Sequence, residues 1–443
     1  MRGRGLSREV PPPLKGNSVF NRASATAPSD GFRTISSNER IAFVGGTVLD
    51  GAGGPPKDNT GILVQGGVIT DVGAIPADAL ATAEIVDCAE RWITPGLIDC
   101  HAHLNGETSI DPYRRYLVPA PQLKLFYAAR QMAAALSTGF TTLRDVGIGS
   151  AVALREAIRN DLIVGPRILA ANSAISTTGG HGDWTLFPQE FRKTIGLRGN
   201  VVDGVEECLR AARRAFREGA DLIKVMPSGG GVTNHPDDLA AHVEMSPDEL
   251  AAIVDEAHRR NARVAAHTNG LAAAQFVIDA GVDTIEHGVF DPDPALLDAM
   301  VQRDISLIPT LLIFRWVAEE GRDAGIFAAG VEAAKRLLDV QLKLVAAAHE
   351  AGVNVAVGTD NAGFMPIGEN TRELELLMDA GLSFAETLAA GTRNGARACG
   401  LEAEVGTIEV GKRADLVILN QDPASDPSIL RRPGGIRQVV QAA

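Results

Sequence analysis

Eight apolar, strand-like runs separated by helical stretches constrain this chain more than any other feature. They read "GLIDCHAH" near 96–103, "FTTLRDV" near 140–146, "RILAANSA" near 167–174, "DLIKVM" near 221–226, "RVAAHT" near 263–268, "DTIEHG" near 283–288, "SLIPTLLI" near 306–313 and "VNVAVGTD" near 353–360. Near-continuous apolar strands that alternate with helices are the pattern of a parallel sheet covered on its faces. Eight repeats predict an α/β fold of the (β/α)8 TIM-barrel type; a doubly wound open sheet is the alternative. The helices carry their own start signals. In "SPDELAAIVDEAHRR", Ser246 reads as an N-cap, Pro247 as the first helical residue and Glu249 as the third member of a capping box. The apolar face is then Leu250, Ile253, Val254 and Ala257, which leaves His258 on the helix surface.

A length of 443 residues exceeds what one core usually supports unless the fold is a large barrel, so a second unit is expected. From Ile41 the chain shows short β-like runs with glycine turns, and "VGTIEVGKRADLVILNQDP" has the same texture around Gly411. Residues 39–94 and 401–443 are therefore expected to build one small β-sandwich domain from both chain ends, and residues 95–400 the catalytic barrel. Residues 1–38 carry Arg2, Arg4, Arg8, Lys15, Arg22 and Arg33 against Glu9 and Asp30. They are expected to be a disordered basic extension or an over-long start, in preference to a targeting sequence.

The net charge of −13, without any long basic run, argues against nucleic acid or an anionic membrane as a partner. No apolar stretch reaches the length of about 20 residues that spans a bilayer. Cys88, Cys100, Cys208 and Cys399 show no CxxC spacing, which suits reduced thiols in a cytoplasmic protein.

Chemistry collects at the C-terminal strand ends, where barrels of this kind place their active sites. His101 and His103 are one residue apart and share a face, close enough to hold one metal ion. Chance alone places roughly 0.2 such pairs in a chain of this composition, so the motif needs partners. Lys224, His267, His287 and Asp360 occupy other strands or their ends. Asp360 shares its face with Gly358, Ala356 and Asn354, opposite Val353, Val355 and Val357. Lys224 likewise lies opposite Ile223 and Val225. A strand lysine can be a snorkelling side chain or half of an ion pair. Desolvation instead favours its neutral amine, which can take up carbon dioxide to give a carboxylate-like carbamate. His267 and His287 taken singly could be ordinary core or surface histidines; one βα repeat apart, they form a pair. His181, in "STTGGHGDW", either orders its own turn or polarises a substrate carbonyl. The "PSGGGVTNHPDD" stretch could offer backbone N–H groups to a substrate, and His235 and His242, in or near it, are expected to be solvated.

The motifs "PGLIDCHAH", "IKVMPSGG", "AAHTNG", "IEHG" and "VGTDNAG", in this order, resemble the metal-dependent amidohydrolase superfamily from about Val44 to about Ile418. The pattern is most similar to the imidazolonepropionase-like branch, which includes Xaa-Pro and Xaa-Arg dipeptidases, ochratoxin amidohydrolase and hydrolases of phenylureas and thiocarbamates. The resemblance implies that His101, His103 and Asp360 hold one divalent ion, that His267 and His287 hold a second, and that a carbamate on Lys224 bridges them. Zinc is the expected metal. A metal-bridging hydroxide is the implied nucleophile, Asp360 the proton acceptor and donor, and His181 an aid to the carbonyl. The implied substrate is a small N-acyl compound, an imidodipeptide or N-acyl amino acid first, and a phenylurea, carbamate or mycotoxin amide second. A homo-oligomer is the expected assembly. A mononuclear deaminase or ring-opening cyclic amidohydrolase would carry a residue other than lysine at position 224, and a non-catalytic relative would have lost ligands. Arg315 is a candidate for binding a substrate carboxylate. The final "IRQVVQAA" is short for the last strands of the accessory unit, which leaves that sheet's edge in question.

Overall fold

The computed structural model describes residues 31–104, 120–147, 150–183, 200–230, 242–326, 328–361, 365 and 368–442. At its centre are parallel strands. A 3-stranded sheet runs Leu97–Ala102, Phe140–Asp145, Arg167–Ala170. A 6-stranded sheet runs Asn200–Val201, Ile175–Ser176, Ile223–Val225, Val264–Asn269, Thr284–Val289, Ser306–Ile308. Asp221, just before Ile223–Val225, donates its N–H to Ala170 O at 2.8 Å, and Cys100 N donates to Val357 O at 2.8 Å, Val357 lying in the eighth run outside both sheets. The arrangement is a TIM-barrel-like α/β fold whose strands fall in two parallel sheets; among the described residues they do not form one uninterrupted eight-stranded sheet.

Side-chain alternation divides the interior. Ile223, Val225, Val353, Val355 and Val357 join the large core under the helices, whereas Leu222 packs with Val146, Ala171 and Ala265 in a separate cluster. The helix Pro247–His258 begins with the expected capping box, Ser246 Oγ accepting from Glu249 N, and buries Leu250, Ile253, Val254 and Ala257.

Three strands are shorter than the apolar runs suggest. The third stops at Ala170, because Asn172 turns the chain at φ +66° before Ile175–Ser176 resumes pairing. The seventh stops at Ile308: Pro309 lacks an N–H, Thr310 adopts φ +51°, and "LLI" opens the helix Leu311–Glu320. Buried Glu373 accepts from Leu311 N at 2.9 Å and Leu312 N at 2.7 Å, which satisfies that helix start. The eighth run makes one bridge, Leu307 to Val355, and beyond it Thr359 N and Asp360 N both donate to His101 O.

Both chain ends contribute to one mixed 8-stranded sheet, and two facing layers of a sandwich are not distinguished. Its order is Phe32–Ile35, Ile436–Ala442, Leu416–Leu419, Trp92–Pro95, Arg40–Val48, Lys57–Gln65, Val68–Gly73, with Glu84–Asp87 also paired to Arg40–Val48. Two expectations are corrected together here. Ile436–Ala442 is not an edge, because Phe32–Ile35 pairs with it in parallel. Residues 32–35 are accordingly not part of a disordered head: Ile35 is buried, and Arg33 binds Glu39 at 3.0 Å and Glu84 at 2.6 Å. The expected extension up to position 30 lies outside the described residues. No helix among the described residues is long and apolar enough to cross a membrane, and all four cysteines are free.

Candidate metal centre

Strand ends bring the candidate ligands to one place. The donor atoms of His101, His287 and Asp360 lie within 4.8 Å of one another. His103 Nε2 is 3.1 Å from Asp360 Oδ1, and the His267 ring lies 4.7 Å from that of His287. His287 and Asp360 adopt φ +67° and +45°, a left-handed conformation that turns both side chains away from regular strand directions.

Each imidazole has one nitrogen bonded to an oxygen that orients the ring; at His101, His267 and His287 the other nitrogen is left for a cation, and at His103 the other nitrogen already meets the Asp360 carboxylate. His101 Nδ1 donates to Glu286 Oε2 at 2.6 Å, with Nε2 facing Asp360 Oδ1 at 3.8 Å. His103 Nδ1 donates to Gly147 O at 3.1 Å. His287 Nδ1 and Thr310 Oγ1 share a hydrogen bond at 2.8 Å. His267 Nε2 and Asn269 Nδ2 converge on Gly229 O, each at 3.1 Å, which frees His267 Nδ1.

The electrostatics suit a cation. Burial, and then Lys224 among other neighbours, holds the His101 and His287 imidazoles well below their usual range, and burial with the nearby His181, His287 and Lys224 does the same at His267. Burial opposes ionisation of Asp360, yet His101, His103 and Lys224 keep its carboxyl well below the usual carboxylate range. Lys224 is 1% exposed and, among the described residues, its Nζ has no hydrogen-bond partner. Burial pushes its amine down to about 8. At His103 burial opposes the charged form, but the hydrogen bond to Asp360 outweighs it and raises the imidazole, so a bound ion would displace that proton. Neutral imidazoles at His101, His267 and His287 around an ionised Asp360, beside an easily neutralised amine, are the chemistry that divalent metal ligands require, and these residues fit such an ion.

His181 heads the turn His181–Asp183, its N–H bonded to Glu244 Oε2 at 2.8 Å. Its ring stacks on His267, centroids 4.4 Å apart. Arg315 is not brought to the cluster: its guanidinium pairs with Glu319 and Asp379, both exposed, at 3.5 and 3.3 Å. His242 and His258 are exposed, and His235 lies outside the described residues. Sequence reasoning missed the supporting shell. Asp99 accepts from His101 N at 3.0 Å, Thr359 N at 3.1 Å and Thr359 Oγ1 at 2.7 Å, tying the first strand end to the Asp360 turn. Gln341 Nε2 donates to His287 O at 3.0 Å and Pro309 O at 2.6 Å. Asp99 stood in the opening motif as an acid on the strand; Gln341, in the middle of a long helix, gave no signal.

A parallel α/β fold with histidines and an acid at its strand ends defines a class of metal-site hydrolases. The chain belongs to the amidohydrolase family, which it matches over residues 92–442. It is 31% identical over 420 residues to the ochratoxinase of Aspergillus niger, covering 90% of this chain and 85% of that one. A solved Xaa-Pro dipeptidase with bound methionine superposes with a TM-score of 0.81 at 28% identity, covering 91% of this chain and 98% of that one. A prolidase complexed with N-methylphosphonate-L-proline gives a TM-score of 0.81 at 31% identity, with the same coverage of 91% and 98%. The protein is therefore a hydrolase acting on C–N bonds.

Proposed function

We propose that this protein is a binuclear metal-dependent hydrolase that cleaves the amide C–N bond of a small N-acyl substrate, within a barrel closed by its two parallel sheets. The observation that carries the reading is Lys224, a buried amine without a hydrogen-bond partner among the described residues, near enough to His101, His267, His287 and Asp360 to act on the charge of each. His101, His103 and Asp360 would hold one ion and His267 and His287 the other. Carbamylated Lys224 would bridge them, its Nζ bonding to the carbon of carbon dioxide with loss of a proton. Bound divalent ions would polarise the substrate carbonyl and lower the pKa of water. Asp360 accepts the proton of the attacking water and delivers it to the leaving nitrogen. His181, held against His267, donates a hydrogen bond to the carbonyl oxygen as charge develops there.

The likeness to a Xaa-Pro dipeptidase and a prolidase supports imidodipeptides and N-acyl amino acids as first substrates, and the likeness to an ochratoxinase supports a mycotoxin amide as the alternative. The test is metal analysis with a panel of dipeptides, N-acyl amino acids, phenylureas and carbamates. Two equivalents per chain and turnover of linear amides are expected, abolished by chelation and by Lys224→Ala or Lys224→Arg, since a guanidinium cannot form the carbamate. Full activity in protein stripped to well below one equivalent, or turnover confined to cyclic imidazolones and aminopurines, would overturn the reading.

A further inference from the structure

We infer that Arg144 and Glu286 are positioning residues that select the nitrogen His101 presents to a metal and thereby tighten one ion position relative to the other; this rests on the two-ion reading above. Glu286 stands on Thr284–Val289 in the 6-stranded sheet, and His101 and Arg144 on the first two strands of the 3-stranded sheet. The carboxylate therefore crosses between the sheets to reach its histidine. Its Oε2 lies 2.6 Å from His101 Nδ1, and its Oε1 accepts from Arg144 Nη2 at 2.6 Å and from Thr284 Oγ1. Glu286 and Arg144 are 0% and 1% exposed.

Arg144 is held in turn, Nε donating to Cys100 O at 2.5 Å and Nη1 to Thr284 Oγ1 at 3.1 Å. A buried carboxylate without such a partner would bear a large desolvation cost, so the guanidinium is what allows an anion behind His101. Among the described residues, His101 alone of the four imidazoles has its orienting nitrogen bonded to a carboxylate. The others use Gly147 O, Gly229 O and Thr310 Oγ1, which are neutral. A charge-assisted bond is stronger than a neutral one and makes the opposite nitrogen a better electron donor. The asymmetry belongs to the position that His101 serves.

The experiment measures zinc binding to chelator-stripped full-length protein by competition with a chromophoric chelator, for the wild type, E286Q and the double variant R144M/E286Q. The double variant removes both charges at similar volume, so neither is left buried alone. The expected result in both variants is an affinity loss of about tenfold or more for one zinc equivalent, with the second held within about threefold, and in the double variant a melting temperature of the metal-free protein near that of the wild type. Two unchanged affinities, or an equal loss of both that tracks a fall in melting temperature, would reduce the pair to a strut between sheets and overturn the inference. If the wild type binds fewer than two equivalents, the two-ion reading fails instead, and an unchanged affinity of the remaining ion in R144M/E286Q still overturns this one.

Discussion

Gly358 offers the sharpest test of how tightly packing governs the candidate centre. It lies two residues before Asp360, and a Cβ built there would overlap Ile308 Cγ2 and come within 2.8 Å of His101 Cβ and 3.1 Å of His101 N. His101 O is also the acceptor for Thr359 N and Asp360 N, so a shift of one ligand is transmitted to the other. Overpacking of this kind costs about 1–3 kcal/mol. With an unfolding entropy of about 2.1 cal/mol/K per residue, Gly358→Ala should lower the melting temperature of a chain this size by only about 1–3 °C. Turnover should suffer more, by about tenfold or greater, because misplacement of reacting groups by a fraction of an ångström is felt exponentially. The assay pairs differential scanning calorimetry of the metal-free protein with turnover at saturating substrate. Ile308→Ala in the Gly358→Ala background removes the Cγ2 overlap and leaves the His101 contacts. Stability should therefore recover by a coupling of about 1 kcal/mol or more, while turnover should not. A Gly358→Ala protein with wild-type melting and turnover, or a strictly additive double variant, would refute the reasoning.

Asp360→Asn keeps the side-chain shape and removes the proton acceptor, so metal should be retained while turnover falls by about 10² or more; an unchanged rate at saturating substrate would contradict its role. His181→Ala should lower kcat more than it raises KM, as expected for a group that acts on the developing oxyanion; a pure KM effect would reassign it to substrate binding. In the metal-free protein Lys224 titrates near 8 when folded against an ordinary 10.5. Between those values the unfolded chain binds more protons, so stability should rise with pH across that window and flatten in Lys224→Met; denaturant melts at stepped pH check this, and a flat wild-type profile would deny the burial.

The candidate ligands were visible in the sequence because strand ends and alternation are local properties. Lys224 could be separated from Ile223 and Val225 by counting residues, and the structure puts Ile223 and Val225 in the large core while Leu222, two residues before Lys224, packs in a separate cluster. The ends of strands were less visible. At Thr310 the outcome depends on Glu373, which lies 62 residues from Leu311 along the chain and accepts its N–H. Glu286 was hidden for the same reason: its partner His101 is 185 residues away, and nothing in "IEHG" states what the acid meets. Phe32–Ile35 was missed because four residues that include an arginine and a threonine look like linker until the C-terminal strand is beside them.

Three residues at or beside the candidate centre, His287, Thr310 and Asp360, are non-glycine residues with positive φ. Each such conformation costs of order 1 kcal/mol or more and persists only where its surroundings hold it. Those surroundings are buried polar side chains that bind backbone. Gln341 holds the carbonyls of His287 and Pro309, Glu373 takes the N–H groups that follow Thr310, and Asp99 takes Thr359 N just before Asp360. None of the three clamps needs a ligand to form. Each clamp is a contact made within the chain itself, so it lowers the free energy of ordering that a bound ion would otherwise have to supply. Loss of a clamp should for that reason weaken metal binding even though the clamp touches no metal, and Gln341→Met, which removes the bonds to His287 O and Pro309 O, is the variant in which a zinc affinity equal to that of the wild type would refute this.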